Sequence, residues 1–218
     1  MKRKSLFITL FLILIIFLCG CNGTVTPTTD EAWFNKGVDL GELEKYEEAI
    51  KAYEKAIEIN PKDDKAWRNK GVCFAKLKRY EEAIKAFEKA IEINQKYDEA
   101  WSNKGVYLGE LKRYEEAIKA FEKAIEINQK NDKAWFNKGF CLGELERFEE
   151  AIKAYEKAIE INPKNDKAWN NKGFCLGELE RFEEAIKAYE KAIEINPKND
   201  KAWNNKGFCL GELERFEE

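Results

Sequence analysis

Residues 140–173 read FCLGELERFEEAIKAYEKAIEINPKNDKAWNNKG, and residues 174–207 repeat these 34 letters without a change. Residues 208–218 begin a third copy. The same period extends back through the chain, where one tryptophan marks every unit: Trp33, Trp67, Trp101, Trp135, Trp169 and Trp203. A period of this length is typical of a solenoid of stacked units, none of which can bury a core alone.

Each unit carries two helical patterns. From Trp33 to Leu43 apolar residues recur every three or four positions, which predicts a first helix over about residues 31–43, with Asp30 as its N-cap. A second apolar stripe predicts a second helix over about residues 46–59. Pro61 follows it, and proline disfavours helical geometry in the residue before it. The sequence therefore predicts an all-α chain.

A glycine lies inside the predicted first helix of every unit: Gly37, Gly71, Gly105, Gly139, Gly173 and Gly207. Glycine in a helix costs up to about 1 kcal/mol relative to alanine. Its periodic retention in this chain indicates that the two helices of a unit approach too closely there for a side chain.

These residues resemble the tetratricopeptide repeat, in which Trp, Leu-Gly, Tyr, Ala, Phe, Ala and Pro recur at fixed spacing. The first unit matches that pattern with Trp33, Lys36-Gly37, Leu40, Ala49, Tyr53, Ala56 and Pro61. The chain departs from it by a lysine before the glycine in every unit, and by Gln95 and Gln129 in place of proline. The resemblance implies a right-handed superhelical solenoid whose first helices line the concave side.

The resemblance covers residues 30–218 and divides them into five complete units and one partial unit: 30–63, 64–97, 98–131, 132–165, 166–199 and 200–218. We number positions within a unit from its first residue. The partial unit repeats an internal one unaltered, whereas solenoids usually end in an atypical, polar-faced unit. We expect Trp203, Leu210 and Leu213 to lack half of their covering. The chain is then either a fragment, or its end is covered by a partner or a second copy.

The resemblance places two further sets of residues in the concave groove. Position six is asparagine in every unit: Asn35, Asn69, Asn103, Asn137, Asn171 and Asn205. Position nine is apolar in every unit: Val38, Val72, Val106, Phe140, Phe174 and Phe208. A ladder of amides could hydrogen-bond the backbone of an extended peptide. The alternative is that the asparagines are solvated polar residues copied by duplication, and the sequence leaves both open.

Four cysteines share position ten of the first helix: Cys73, Cys141, Cys175 and Cys209. Equivalent residues on neighbouring packed helices lie about 8–10 Å apart, beyond the roughly 7 Å between Cα atoms that a disulfide tolerates. We therefore predict buried small apolar side chains rather than disulfides or a metal ladder.

The first twenty residues have the layout of a secretory signal. Lys2, Arg3 and Lys4 precede an apolar run that ends near Leu18. Leu18-Cys19-Gly20-Cys21 resembles the lipobox of bacterial lipoproteins, which implies lipid attachment at Cys21 after removal of residues 1–20. An ordinary cleaved signal is the alternative. Residues 21–29 would then form a flexible tether. This predicts a chain anchored to a bacterial envelope membrane outside the cytoplasm, with the outer membrane as one option.

Composition argues against other function classes. The chain has 38 basic and 41 acidic residues, and this mixed charge offers no surface for a nucleic acid. Histidine is absent, which removes the commonest general acid or base and the commonest metal ligand. No phosphate, calcium or dinucleotide motif is present. We therefore predict no enzyme activity, no cofactor and no bound metal.

The function predicted from the sequence is a membrane-anchored scaffold that binds a protein or peptide in the concave groove. In layout only, it resembles repeat lipoproteins that assist pilus or outer-membrane assembly. A structural spacer, or an envelope element that associates with itself at its C-terminal end, is the alternative.

Overall fold

The computed structural model describes residues 28–213, which contain eleven α-helices and no strand. The helices are α1 Asp30–Glu42, α2 Tyr46–Ile59, α3 Asp64–Lys76, α4 Tyr80–Ile93, α5 Asp98–Glu110, α6 Tyr114–Ile127, α7 Asp132–Glu144, α8 Phe148–Ile161, α9 Asp166–Glu178, α10 Phe182–Ile195 and α11 Asp200–Glu212. They form antiparallel pairs, which confirms the predicted all-α solenoid. The predicted signal, the lipid-attachment residue Cys21 and most of the tether lie outside the described residues.

The first helix of the first unit begins one residue earlier than the sequence predicts. Thr29 is its N-cap and accepts a hydrogen bond from the Ala32 amide at 3.1 Å. The prediction of Asp30 as the cap is wrong, because Asp30 is the first helical residue. Its carboxylate instead accepts from the Asn60 side chain at the end of α2, at 3.0 Å. This aspartate–asparagine bond recurs in the next four units and closes each helical pair at its open end.

The turn between the two helices of a unit has the Schellman geometry. In the first unit the amide of Lys45 donates to the carbonyl of Leu40 and that of Glu44 to the carbonyl of Gly41. Glu44 consequently takes a left-handed conformation with φ of 58°. The four following units place non-glycine residues at the same positive φ: Lys78, Lys112, Glu146 and Glu180.

The glycine of the first helix lies against the aromatic ring of the second, as predicted. A Cβ built on Gly71 would be 2.7 Å from the nearest ring carbon of Phe87. Real side chains do not approach so closely, so only glycine allows these two helices to meet. The ring itself is fully buried.

The tryptophan of each unit from the second to the sixth donates a hydrogen bond to the preceding turn. The Trp135 indole donates to the main-chain carbonyl of Gln129 at 3.2 Å, and Trp169 donates to that of Pro163 at the same distance. The acceptor is backbone, so the residue type matters little. Glutamine can therefore replace proline in two units without loss of this contact.

The lysine that replaces the family's leucine joins consecutive units. Lys138 on α7 forms a 2.8 Å ion pair with Glu122 on α6 of the previous unit. Its ammonium also lies 5.7 Å from the centre of the Trp135 ring. The same ion pair recurs at the four other junctions between units. The aliphatic stem takes the apolar place of leucine, and the charged end bridges two units.

The first helices lie on the inner side of the curve. Within the described residues, the first helices of consecutive units contact one another, whereas their second helices do not. The four predicted cysteines lie on these first helices, and all four are buried and free of disulfides. The Cys141 sulfur packs within 3.7 Å of the Cβ position of Gly109 on the previous first helix. Small residues at this contact allow consecutive first helices to pack closely.

The last described helix is only partly covered. Trp203 is 51 % exposed, whereas the other five tryptophans are half-buried. Leu210 is only 8 % exposed, so the prediction that it lacks covering is wrong. It packs with Cys209 into the core of the preceding unit. Leu213 is partly buried against the same cluster.

Candidate functional site

A groove runs along the concave side of the third to sixth units. Its volume is about 880 Å³, and it is lined by α5, α7, α9 and α11, by the turns next to them and by Phe121 of α6. Four of the predicted groove residues line it: Val106, Asn137, Phe140 and Asn171. The other predicted residues do not: Asn35, Asn69, Asn103, Asn205, Val38, Val72, Phe174 and Phe208.

The groove has an apolar patch at the fourth unit. Phe136 and Phe140 extend from α7, and Val106 faces them from α5. Phe140 is 43 % exposed, and its equivalents Phe174 and Phe208 in the next two units are exposed as well. The ring of Phe136 packs on the buried ring of Tyr155, with 5.8 Å between the two ring centres. This patch can accept an aliphatic or aromatic side chain.

The groove is interrupted toward the N-terminal end by larger side chains. Tyr107 occupies the position that carries cysteine in neighbouring units, and its ring stacks on Tyr80 and Phe87 at 5.6 and 5.9 Å. On α3, Arg68 forms a 3.0 Å ion pair with Glu99 and donates to the side-chain oxygen of Asn69 at 2.9 Å.

The asparagine ladder is not uniform. The Asn171 amide donates to the hydroxyl of Tyr155 on the preceding second helix, at 3.4 Å. Burial raises the pKa of Tyr155, and the bond from Asn171 partly opposes that rise. The Asn171 amide is therefore occupied within the fold.

Two units of the ladder lack such a hydroxyl, because their second helices carry Phe87 and Phe121. The residues that follow them at position six are Asn103 and Asn137. The side-chain nitrogen of Asn103 is buried without a hydrogen-bond partner. Asn137 is half-buried, lines the groove, and forms no side-chain hydrogen bond within residues 28–213.

A second polar group of the groove wall is unsatisfied. Asn170, at position five of the fifth unit, is 9 % exposed and lines the groove. Its amide nitrogen donates to Asn171 at 3.2 Å, whereas its oxygen is buried without a partner. Leaving such a group unbonded costs about 1–3 kcal/mol. The repeat pattern did not single out this residue, although position five carries more residue types than any other position of the unit: Phe34, Arg68, Ser102, Phe136, Asn170 and Asn204.

The groove is lined by charges of both signs, four lysines and three acids. Lys112, Lys167, Lys198 and Lys201 line it, and none of them forms an ion pair among the described residues. One of the lining acids, Asp166, accepts hydrogen bonds from the side chains of Asn196 and Asn199, at 2.8 and 3.2 Å. Glu110 and Asp200 are the other acids of the lining.

The described residues show no arrangement for metal or thiol chemistry. Burial raises the pKa of the Cys141 and Cys175 thiols to about 12, so both stay protonated and unreactive near neutral pH. Residues 28–213 contain no cluster of three metal-ligating side chains. In the same part of the chain, no helix is long and apolar enough to cross a membrane.

Comparison with known families identifies one type of unit along the chain. Models described as tetratricopeptide repeat match residues 34–98, the three consecutive segments 98–131, 132–165 and 166–199, and residues 188–218. A comparison with curated proteins finds no match.

Solved structures share the fold over most of their length. YrrB, described as a TPR protein with an unusual peptide-binding site, is 26 % identical with a TM-score of 0.71, covering 80 % of this chain and 90 % of YrrB. PilF of Pseudomonas aeruginosa is 20 % identical with a TM-score of 0.73, covering 85 % of each chain. A MamA chain of Desulfovibrio magneticus RS-1, described as 41-end, is 20 % identical with a TM-score of 0.74, covering 81 % of this chain and 99 % of that MamA chain.

Proposed function

Because the chain belongs to the tetratricopeptide repeat family, it is a protein-interaction scaffold, and we propose that it holds a peptide or protein segment in the groove of its third to sixth units. The observation that carries this proposal is the groove itself: about 880 Å³, open along the concave side, with exposed Phe140 beside the unoccupied amide of Asn137. The peptide-binding site described for YrrB supports the same use of the fold.

The test is crosslinked co-purification from intact cells. The native chain is compared with one carrying Phe140→Ala and Asn137→Ala, and with a matched control carrying Val38→Ala and Asn35→Ala, the same two positions of the first unit, neither of which lines the groove. We expect one partner to be lost from the double variant and retained by the control. Equal recovery by the native chain and the double variant would contradict binding in this groove.

A structural role through self-association is a second candidate. Its support is the exposure of Trp203 (51 %) and Phe208 (63 %) on α11. Size measurements by light scattering over a range of concentrations test it. Association of the native chain that Phe208→Ser abolishes would favour this candidate, and a monomer at all concentrations would remove it.

We further propose that the chain is anchored to a bacterial envelope membrane, outside the cytoplasm, by lipid at Cys21. The support is sequence alone: the basic start, the short apolar run and the lipobox-like Leu18–Cys21 segment. Labelling cells with a radioactive fatty acid should mark the native chain and a Cys19→Ser variant but not Cys21→Ser. Equal labelling of the Cys21→Ser chain would contradict the assignment.

A further inference from the structure

The junction between the second and third units differs from the other junctions of the solenoid. We call it the seam, and define it as the contact of α3 and α4 with α5. The buried apolar side chains of the first two units form one core cluster, and those of the third to sixth units form another. Of the second unit, only Ile84 belongs to the larger cluster. The apolar core is therefore divided at the seam.

The buried residues at the seam itself form a small group of their own. Ala90 and Ile91 at the end of α4 contact Ala100 on α5 and join neither large cluster. The equivalent residues one unit later are Ala124, Ile125 and Ala134, and all three belong to the larger cluster. The division is thus a property of this junction and not of the repeat.

The helix that follows the seam begins without a side-chain cap. Tyr97 precedes α5 and makes no such bond, because its side chain has no acceptor near the first-turn amides. The other first helices of the described chain are capped by side chains: Thr29, Asp63, Asn131, Asn165 and Asn199. The first turn of α5 is therefore held less firmly than theirs.

Two buried donors at the seam have no acceptor among the described residues. They are Nε of Arg68 on α3 and the side-chain nitrogen of Asn103 on α5. Two units later, the equivalent Asn171 donates to the hydroxyl of Tyr155. The corresponding ring at the seam is Phe87, which has no hydroxyl. Unsatisfied buried donors weaken the closed arrangement.

Side chains near the surface hold the seam closed. Arg68 forms a 3.0 Å ion pair with Glu99 on α5, and the Glu99 side chain is 59 % exposed. Exposed pairs of this kind contribute little to stability and are screened by salt. The ring of Tyr107 stacks on Tyr80 and Phe87. The lysine–glutamate pair described above is present here as at the other junctions.

We propose that the seam is a joint at which the solenoid opens as two blocks, residues 30–97 and residues 98–213, and that the Arg68–Glu99 ion pair is its latch. The groove lining begins at Gly105, so the groove lies wholly in the second block. The first block stands between the groove and the proposed anchor at Cys21. Opening of the seam lets the groove turn relative to the anchor without a change in its lining.

The test is hydrogen exchange of the full chain, purified in detergent and followed by mass spectrometry over a series of low urea concentrations. Peptides are taken from α1, α3, α5 and α7, because each of these sequences occurs once in the chain. The exchange of each helix gives the free energy of the opening that exposes it.

Two pairs of variants change the seam and a matched site elsewhere. Phe87→Tyr supplies Asn103 with a hydroxyl, and Phe121→Tyr makes the same change one junction later. Tyrosine is accommodated at the equivalent buried positions of the first, fourth and fifth units. Glu99→Lys places a second cation beside Arg68. Glu31→Lys makes the same charge change at the same position of the first unit, where no described unit precedes.

We expect α1 and α3 to open together, and more readily than α5 and α7, because a block of two units has fewer interfaces than a block of four. Phe87→Tyr should reduce the opening of α1 and α3 by about 5-fold, and Phe121→Tyr should leave it unchanged. Glu99→Lys should increase that opening by about 2- to 10-fold at low salt, and by less in 1 M NaCl. Glu31→Lys should have little effect.

Opening of all four helices as a single unit, or a boundary between α5 and α7, would overturn the joint. Equal effects of Glu99→Lys and Glu31→Lys would overturn the latch. Equal effects of the two tyrosine variants on α1 and α3 would show that the unsatisfied donor at Asn103 does not weaken the seam. None of these results bears on binding in the groove, which the co-purification experiment tests separately.

Discussion

Replacement of Gly139 by alanine tests the packing that defines every unit. Gly139 lies on α7, where a Cβ would be 2.8 Å from the nearest ring carbon of Tyr155. The ring cannot easily move aside, since Tyr155 is 2 % exposed and lies against Phe136. One methyl group therefore requires either the ring or the two helices to shift.

The expected cost follows from two opposing effects. Inserting a methyl group into a packed core costs about 1–3 kcal/mol. Alanine is the better helix former, and returns about 0.5–1 kcal/mol relative to glycine. We expect Gly139→Ala to lower the free energy of unfolding by up to about 2.5 kcal/mol, the upper end of the net of these two effects.

The matched control is Gly207→Ala, at the same position of the sixth unit, where no described atom lies within 4 Å of the Cβ. Only the helix-forming gain applies there, so this change should stabilise the chain by about 0.5–1 kcal/mol. Urea unfolding followed by circular dichroism gives both values. Because repeat arrays need not unfold in one step, midpoints are compared together with the slopes.

A double variant identifies the clash. If Tyr155 causes the cost, Gly139→Ala should cost clearly less when combined with Tyr155→Leu, which removes the ring, than it does alone. Stabilisation by Gly139→Ala, or additivity of the two changes, would refute the close-approach explanation.

Three further changes have defined outcomes. Gln129→Pro should raise the free energy of unfolding by about 0.4–1 kcal/mol, because three other units carry proline there in the same turn. A lower free energy of unfolding, measured in urea, would show that the glutamine makes a contact of its own. Glu146→Gly should stabilise by about 1 kcal/mol, because φ is 57° at this residue, whereas the same change at Glu149, a helical residue, should destabilise. The third concerns pH: burial raises the pKa of the Cys141 and Cys175 thiols from 9.0 to about 12. The thiols of the unfolded chain ionise at lower pH than those of the folded chain, so the free energy of unfolding should fall between about pH 9 and pH 12. It should fall less steeply in a chain with both cysteines changed to alanine, and parallel pH profiles of the two chains would contradict this.

The fold was largely accessible from the sequence. Trp33, Gly37 and Tyr53 recur at one fixed spacing, and each makes a contact within its own helical pair or with the adjoining turn. Such contacts depend on residues close in the sequence, so periodicity alone reveals them. The helix bounds, the close approach at glycine and the burial of the cysteines followed from this pattern.

Some local details required the coordinates. Asp30 was predicted to cap the first helix, but Thr29 does so and Asp30 bonds to Asn60 at the far end of the pair. Leu210 was expected to lack covering, yet it packs into the core of the preceding unit. The bond of Asp30 and the covering of Leu210 both involve a partner in another helix.

The sequence by itself determined that the chain is a stack of two-helix units and that asparagines recur along one face. It did not determine which of those asparagines are free to bind. That depends on whether a hydroxyl on the preceding second helix reaches the amide. The Tyr155 hydroxyl accepts from the Asn171 amide, whereas Phe121 has no hydroxyl to offer Asn137. Hydrogen bonds of this kind are decided by distances between side chains on different helices, and those distances exist only in the packed solenoid.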